Sequence, residues 1–346
     1  MGLNIREIVE RKELNVRDLK GKILCVDAFN TLYQFLSTIR QIDGTPLMDD
    51  SGNVTSHLSG VLYRNASLLS EGIKLIYVFD GKAPRLKAKT HKKRKDLRDL
   101  AQEKYDEAKS SEDLELMKRY SAQLLRLDDE MIKESKELLE AMGIMVVQAP
   151  SEGEAQAAYL CTKHKDIFAS VSQDYDSLIF GASALIRNLT ISRKKKTPSG
   201  YVEIKPEIIL LNKLLEELGI NQEQLICLGI LVGTDYNPKG VPGIGQKKAL
   251  DLVKKFSSAK DIFDSVKEKI EELDEEDRFD WKEIFELFNH PDVKDIEIEF
   301  PKINAEKIRE ILIEKHNFAE ERIEKQIEKL GELIKAGKQK GLGEWF

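Results

Sequence analysis

The strongest constraint on this chain is a pattern repeated four times: a short apolar run that ends in acid. KILCVD (residues 22–27), IKLIYVFD (73–80), IMVVQAPSEGE (144–154) and FASVSQDYD (168–176) share it. Each apolar run is too short for a helix and reads as a strand buried on both faces. Helical periods lie between them, as in HLSGVLYRNASLLSEG and in DDEMIKESKELLEAMG, which stops at Gly143 as a helix should. Strands alternating with helices predict an α/β fold with a mostly parallel central sheet flanked by helices. Open sheets of this kind take their ligands beyond the carboxyl ends of the strands.

The acids fall at those ends. Asp27 and Asp80 directly follow two of the runs, and Glu152, Glu154, Asp174 and Asp176 follow the other two. Asp174 and Asp176, two apart, share a side if their segment is extended. Asp235 comes where an apolar helix stops in LVGTDYNP. Singly, each is accounted for as a cap or turn residue. Ser151 and Glu154 have capping-box spacing, and acids suit the positive end of a helix. Neither point explains Gly153, since glycine weakens a first turn. Seven carboxylates gathered on one rim repel each other and lose hydration unless cations neutralise them. An all-oxygen donor set without His or Cys selects hard ions, Mg²⁺ or Mn²⁺, over zinc.

With 346 residues and a net charge of −6, the chain can bury a large core but is not basic throughout. Any nucleic-acid surface must therefore be local. Residues 82–98 carry nine Lys or Arg against one Asp, and a hairpin-like stretch places a second basic tip at Arg193 to Lys196. A basic run is usually a solvated face; nine such residues in an acidic protein favour phosphate contact. The three cysteines sit in apolar contexts without a C-x-x-C pair, as buried thiols in a reducing compartment do. MGLNIREIVERKE is too charged for a signal peptide, and no apolar run is long enough to span a bilayer. The expectation is an intracellular soluble protein with no membrane contact.

VDAFNTLY, YVFDGKAPRLK, APSEGEAQAAYL, SQDYDSLIFG and GTDYNPKGVPGIG occur in that order over nearly the whole chain. Together they resemble the archaeal flap endonucleases, structure-specific 5′ nucleases related to the xeroderma pigmentosum group G nuclease. The resemblance implies a PIN-like 5′ nuclease fold with a helical arch and a helix-hairpin-helix region. Asp27, Asp80, Glu152 and Glu154 would surround one Mg²⁺, and Asp174, Asp176 and Asp235 a second, with Mn²⁺ able to substitute. Eukaryotic members usually carry an acid where Gln173 stands, so this chain has one charge fewer there.

By the same resemblance Lys87 and Arg94 would clamp the scissile phosphate, their seven-residue spacing placing both on one helical face. Tyr33 would stack on a base at the splayed duplex end, or else belong to the core, and Arg40 and Arg64 match phosphate or arch contacts. Gly240, Gly243 and Gly245 let backbone approach phosphate, and the helix that follows with Lys247 and Lys248 offers free N–H groups. The resemblance makes this a helix-hairpin-helix that also holds K⁺ on backbone oxygens. Gln339, Leu342, Trp345 and Phe346 resemble the box that binds a sliding clamp (PCNA). Two large aromatics at a polar chain end suit a partner's pocket; packing on the chain's own body is the alternative.

The expected organisation is a nuclease region at 1–98, an arch at 99–130 that starts as early as 82, and an internal nuclease region at 131–258. The last of these includes the helix-hairpin-helix at 225–256. Residues 259–330 complete the core with helices, and 331–346 form a flexible tail. The implied activity is cleavage of 5′ flaps in branched DNA by a monomer, with 5′-3′ exonuclease activity. Rival readings are a relative preferring exonucleolytic or bubble cleavage, and a non-catalytic junction binder tethered to a clamp.

Overall fold

A computed structural model describes residues 3–41, 44–111, 113–121, 124, 126–191, 194–197 and 200–342. Its strands are β1 (Lys12–Glu13), β2 (Ile23–Asp27), β3 (Lys74–Phe79), β4 (Met145–Gln148), β5 (Ile167–Val171), β6 (Ala184–Arg187), β7 (Lys194–Thr197), β8 (Gly200–Glu203) and β9 (Glu207–Leu210). Seven of them form one sheet in the order β1-β9-β6-β5-β2-β3-β4, while β7 and β8 pair as a separate hairpin. β2 to β6 run parallel, and β9 and β1 add an antiparallel edge.

The side-chain period of two sorts the apolar runs between two faces. Leu24, Val26, Tyr77 and Phe79 enter one core, whereas Cys25, Ile76 and Val78 enter another. All seven are fully buried, and each side chain of this size contributes roughly 1.5–3 kcal/mol on burial. That is why unalternating runs became central strands.

In chain order the first ten helices are α1 (Ala28–Thr38), α2 (Ser56–Ser70), α3 (Ala88–Ser110), α4 (Leu114–Ser121), α5 (Asp129–Ala141), α6 (Gly153–Lys163), α7 (Asp176–Ile179), α8 (Leu211–Leu218), α9 (Gln222–Val232) and α10 (Gln246–Lys255). α1, α2, α5 and the last helix (Glu320–Leu342) cover one face, and α6 covers the other. α7 to α10 build an adjoining core with Leu3, Ile5 and Val9. α3 and α4 pack on each other and leave Leu97, Leu100 and Leu116 exposed; this pair occupies most of the expected arch.

From β2 the chain steps outward through β3 to β4. It then returns through α6 to β5, on the opposite side of β2. Strand order thus reverses between β2 and β5, the place where open sheets form a crevice at their carboxyl ends.

One feature differs from expectation. The basic residues Lys194 to Lys196 lie along β7 rather than at a hairpin tip, and Arg193 falls outside the described residues. The tail, expected to be flexible from 331, has a helical backbone through Leu342. It continues a helix anchored by buried Ile323, Ile327 and Leu330, and extending an existing helix needs only one residue fixed per new hydrogen bond.

Candidate active site

Each acid is positioned by a different element end. Asp27 closes β2 and caps α1, its Oδ1 accepting from the Asn30 amide at 3.1 Å. Asp80 lies one residue past β3 and accepts from the Gly153 amide at 2.6 Å. Glu152 is the N-cap residue of α6 and Glu154 lies in its first turn. Asp174 is in the turn after β5, Asp176 opens α7, and Asp235 lies three residues past α9.

The capping box expected of Ser151 and Glu154 does not form. Asp80, from a neighbouring strand, caps α6 instead. This resolves Gly153, because a Cβ there would stand 2.7 Å from Asp80 Oδ1 and 3.2 Å from the Val78 carbonyl. The residue is glycine so that a carboxylate can approach. The segment carrying Asp174 and Asp176 is not extended either. β5 stops at Val171 and a tight turn leads into α7. The two acids meet through that turn rather than through strand alternation.

Several of the acids perturb one another. Burial, then Asp80 and Asp174, push the Asp27 carboxyl up to about 8. Burial, then Asp174 and Asp235, push Asp176 up to about 7. Glu154 is raised well above the usual range by burial and by Asp176, Asp27 and Asp174. Glu152 is raised by burial, with Lys87 opposing. Two carboxylates about 4 Å apart repel by about 4 kcal/mol at an effective dielectric of 20. A cluster of this kind is stable fully ionised only beside positive charge.

One such charge is present. Lys87 Nζ hydrogen-bonds Glu152, stands 3.5 Å from Asp235 Oδ2, and lies 5.5 Å from the centre of the Tyr236 ring. Burial lowers its proton affinity, but Glu152 and Asp235 outweigh that and leave it raised. Among the described residues, no three acidic, imidazole or thiol groups stand close enough to hold a cation as they are. The all-oxygen donor set, the mutual repulsion and the recruited ammonium all fit hard divalent cations.

Lys87 ends a short 3₁₀ turn at the N-cap of α3 rather than lying within the helix. Arg94 is inside α3, its side chain outside the described residues. α3 is tied to the rim by Thr90 Oγ1, which donates to the Asp235 carbonyl at 2.8 Å. Tyr33 is 38% exposed on α1 and so is not core. Arg40, expected to contact phosphate or the arch, reaches α4. Its guanidinium donates to the carbonyls of Leu36 (3.2 Å) and Gly44 (2.6 Å) and to Ser121 Oγ (3.1 Å), bracing the start of the loop against α4. Arg64 is half-buried on α2.

Between α9 and α10, Gly240 takes φ +58° against the end of α9, where a Cβ would meet the Val232 carbonyl at 2.5 Å. Gly243 and Gly245 face open space, and Lys247 and Lys248 are exposed. Backbone and ammonium groups are thus presented outward together. In the tail, Gln339 and Leu342 lie on the last helix with side chains outside the described residues, as are Trp345 and Phe346 altogether.

Several contributors were not foreseen from sequence. Ser172 and Asn30 contact the acids, Leu3 N donates to Asp176 Oδ1 at 3.1 Å, and Arg187 grips the acidic turn through the Gln173 carbonyl (3.1 Å) and Tyr175 Oη (2.7 Å). The serine and the asparagine lie within three residues of an acid in sequence, a usable signal. The backbone amide of Leu3 carries none.

Two sequence families match this chain, the XPG N-terminal domain over residues 3–101 and the XPG I-region over residues 143–235, which sets the class as an XPG-type nuclease. Flap endonuclease 1 of Staphylothermus marinus is 50% identical over the full length of both chains. That of Thermococcus onnurineus is 48% identical over 100% of this chain and 99% of its own. The solved structure of flap endonuclease-1 from Methanococcus jannaschii superposes with a TM-score of 0.76 at 38% identity, covering 97% of this chain and 100% of that one. The chain belongs to the flap endonuclease family. Among the described residues no helix is long and apolar enough to cross a membrane.

Proposed function

We propose that this chain is a Mg²⁺-dependent, structure-specific endonuclease of DNA replication and repair. It cuts 5′ flaps of branched DNA near the single-strand junction, leaving a 5′-phosphate and a 3′-hydroxyl, and also acts as a 5′-3′ exonuclease. The observation that carries the reading is the gathering of acids from four neighbouring strand ends, where Asp80 meets the start of α6 and Ser172 and Asn30 touch Asp27, Glu154 and Asp174, in a chain whose full-length relatives are flap endonucleases.

Asp27, Asp80, Glu152 and Glu154 would hold one divalent ion, and Asp174, Asp176 and Asp235 the other. A bound pair of such ions supplies an activated water and charge stabilisation at the leaving oxygen. The protein's own groups do the rest. Lys87 and Arg94 bind the scissile phosphate, and Tyr33 supports the terminal base by stacking. The hairpin with Gly240, Gly243, Gly245, Lys247 and Lys248 grips duplex backbone without reading sequence, and its backbone oxygens would hold K⁺. Arg64 adds a phosphate contact, and α3 with α4 guides the 5′ strand.

The tail from 331 would dock on a sliding clamp through Gln339, Leu342, Trp345 and Phe346. Deleting residues 339–346 is expected to leave isolated cleavage intact and abolish stimulation by the clamp; stimulation that persists refutes the assignment. For the nuclease itself, labelled flap, bubble and blunt duplex substrates compared with Mg²⁺ present form the test. Preference for the flap is expected, and binding without hydrolysis would favour the junction binder.

A further inference from the structure

Two uncharged side chains bridge the acids across the point where strand order reverses. Ser172, 3% exposed and first after β5, places Oγ 3.2 Å from Asp27 Oδ2 and 3.0 Å from Glu154 Oε1, and accepts from the Asp174 amide at 3.2 Å. Asn30, in the first turn of α1, donates through Nδ2 to Asp174 Oδ2 at 3.0 Å and accepts at Oδ1 from the Gln173 amide at 3.3 Å. Its own amide binds Asp27 Oδ1. These two residues therefore touch carboxylates of both proposed ion sets.

We infer that Ser172 and Asn30 are positioning residues that fix the spacing of Asp27, Glu154 and Asp174 for an incoming divalent ion. The inference rests on the two-ion reading above. A hydroxyl has one proton and two acceptor sites. Serving one ionised carboxylate at a time, it leaves oxygens of the other free for a cation while holding both at one distance. The Asn30 side chain does the complementary task, holding both Asp174, through Nδ2, and the Gln173 amide of the same turn, through Oδ1, to α1. Mg²⁺ accepts little departure from octahedral geometry, so side chains that set ligand spacing act on ion affinity. If these contacts served only to satisfy buried polar groups, losing them would lower stability and leave ion affinity alone.

The test uses the full chain without DNA. Mn²⁺ is titrated and free ion is followed by its paramagnetic resonance signal, with thermal unfolding in chelator as the check on folding. Ser172→Ala is expected to weaken Mn²⁺ binding roughly tenfold, and Ser172→Thr, which keeps the hydroxyl, to restore most of it. Asn30→Ala weakens binding by a comparable factor and decides the matter should Ser172→Ala fold poorly. In flap cleavage, both alanine variants raise the Mg²⁺ concentration for half-maximal rate more than they lower the rate at saturating Mg²⁺. Mn²⁺ affinity unchanged in both folded variants, while Asp174→Ala loses binding, overturns the positioning role alone. No Mn²⁺ uptake by the unaltered chain overturns the two-ion reading and this inference with it.

Discussion

The acidic rim and the glycine hairpin after α9 flank the same helical core but are built on opposite principles. The rim uses side chains drawn from residues 27 to 235, several of them buried, such as Asp27 at 7% and Glu152 at 8% exposure. The hairpin uses backbone from a few consecutive residues, with Gly243, Gly245, Lys247 and Lys248 turned to solvent. Buried charge demands partners in fixed places, and exposed backbone and ammonium groups do not. The first region is therefore sensitive to small displacements, and the second to changes in charge. The N-terminal segment joins them. The Gln246 side chain on the hairpin side accepts from the Glu7 amide at 2.9 Å, and Leu3 N reaches Asp176.

The contrast is sharpest at a single acid. Asp174→Ala is expected to lower flap cleavage by ~10³-fold or more, since it removes a charge on which the transition state relies, while junction binding in a gel-shift assay stays near that of the unaltered chain. Normal turnover would break the rim account. Lys87→Ala should slow single-turnover cleavage by roughly 10²-fold with a modest loss of affinity. In chelator the same variant should unfold earlier, because Glu152 and Asp235 lose their ammonium partner.

Gly153→Ala separates local propensity from long-range fit. Exposed helical positions gain about 1 kcal/mol from this change. Here the added carbon collides with Asp80, so both the melting temperature and the Mg²⁺-dependent rate should fall; a rise in stability with full activity would show the approach of Asp80 to be dispensable. At the hairpin the effect is smallest. Lys247→Ala with Lys248→Ala should weaken duplex affinity and reduce the slope of log affinity against log salt by about 2, with little change in rate at saturating DNA.

What could be read from sequence follows the same division. Central strands were visible because β2, β3 and β5 are largely buried on both faces and carry no alternation, and their carboxyl ends located Asp27, Asp80 and Asp174 without coordinates. The hairpin was visible because its glycines and lysines are consecutive. The geometry between elements was not. Ser151 and Glu154 satisfy a local capping rule, yet Asp80, some seventy residues earlier, takes that place on α6. Arg40 matches a phosphate or arch contact by position, and its guanidinium binds Ser121 of α4 as well as the Leu36 and Gly44 carbonyls, each four residues away. On α6 a tertiary partner distant in sequence outcompetes the local pattern, and no window of neighbouring residues contains that partner.

The central claim is that this rim hydrolyses a phosphodiester by means of hard cations. Cleavage of an end-labelled 5′ flap, followed in chelator and then after Mg²⁺ addition, tests it most directly. Incision near the junction should begin only on adding Mg²⁺ and should yield a 5′-phosphate and a 3′-hydroxyl. Tight binding of the branched substrate with no incision at any Mg²⁺ concentration, or incision that continues undiminished in chelator, would contradict it.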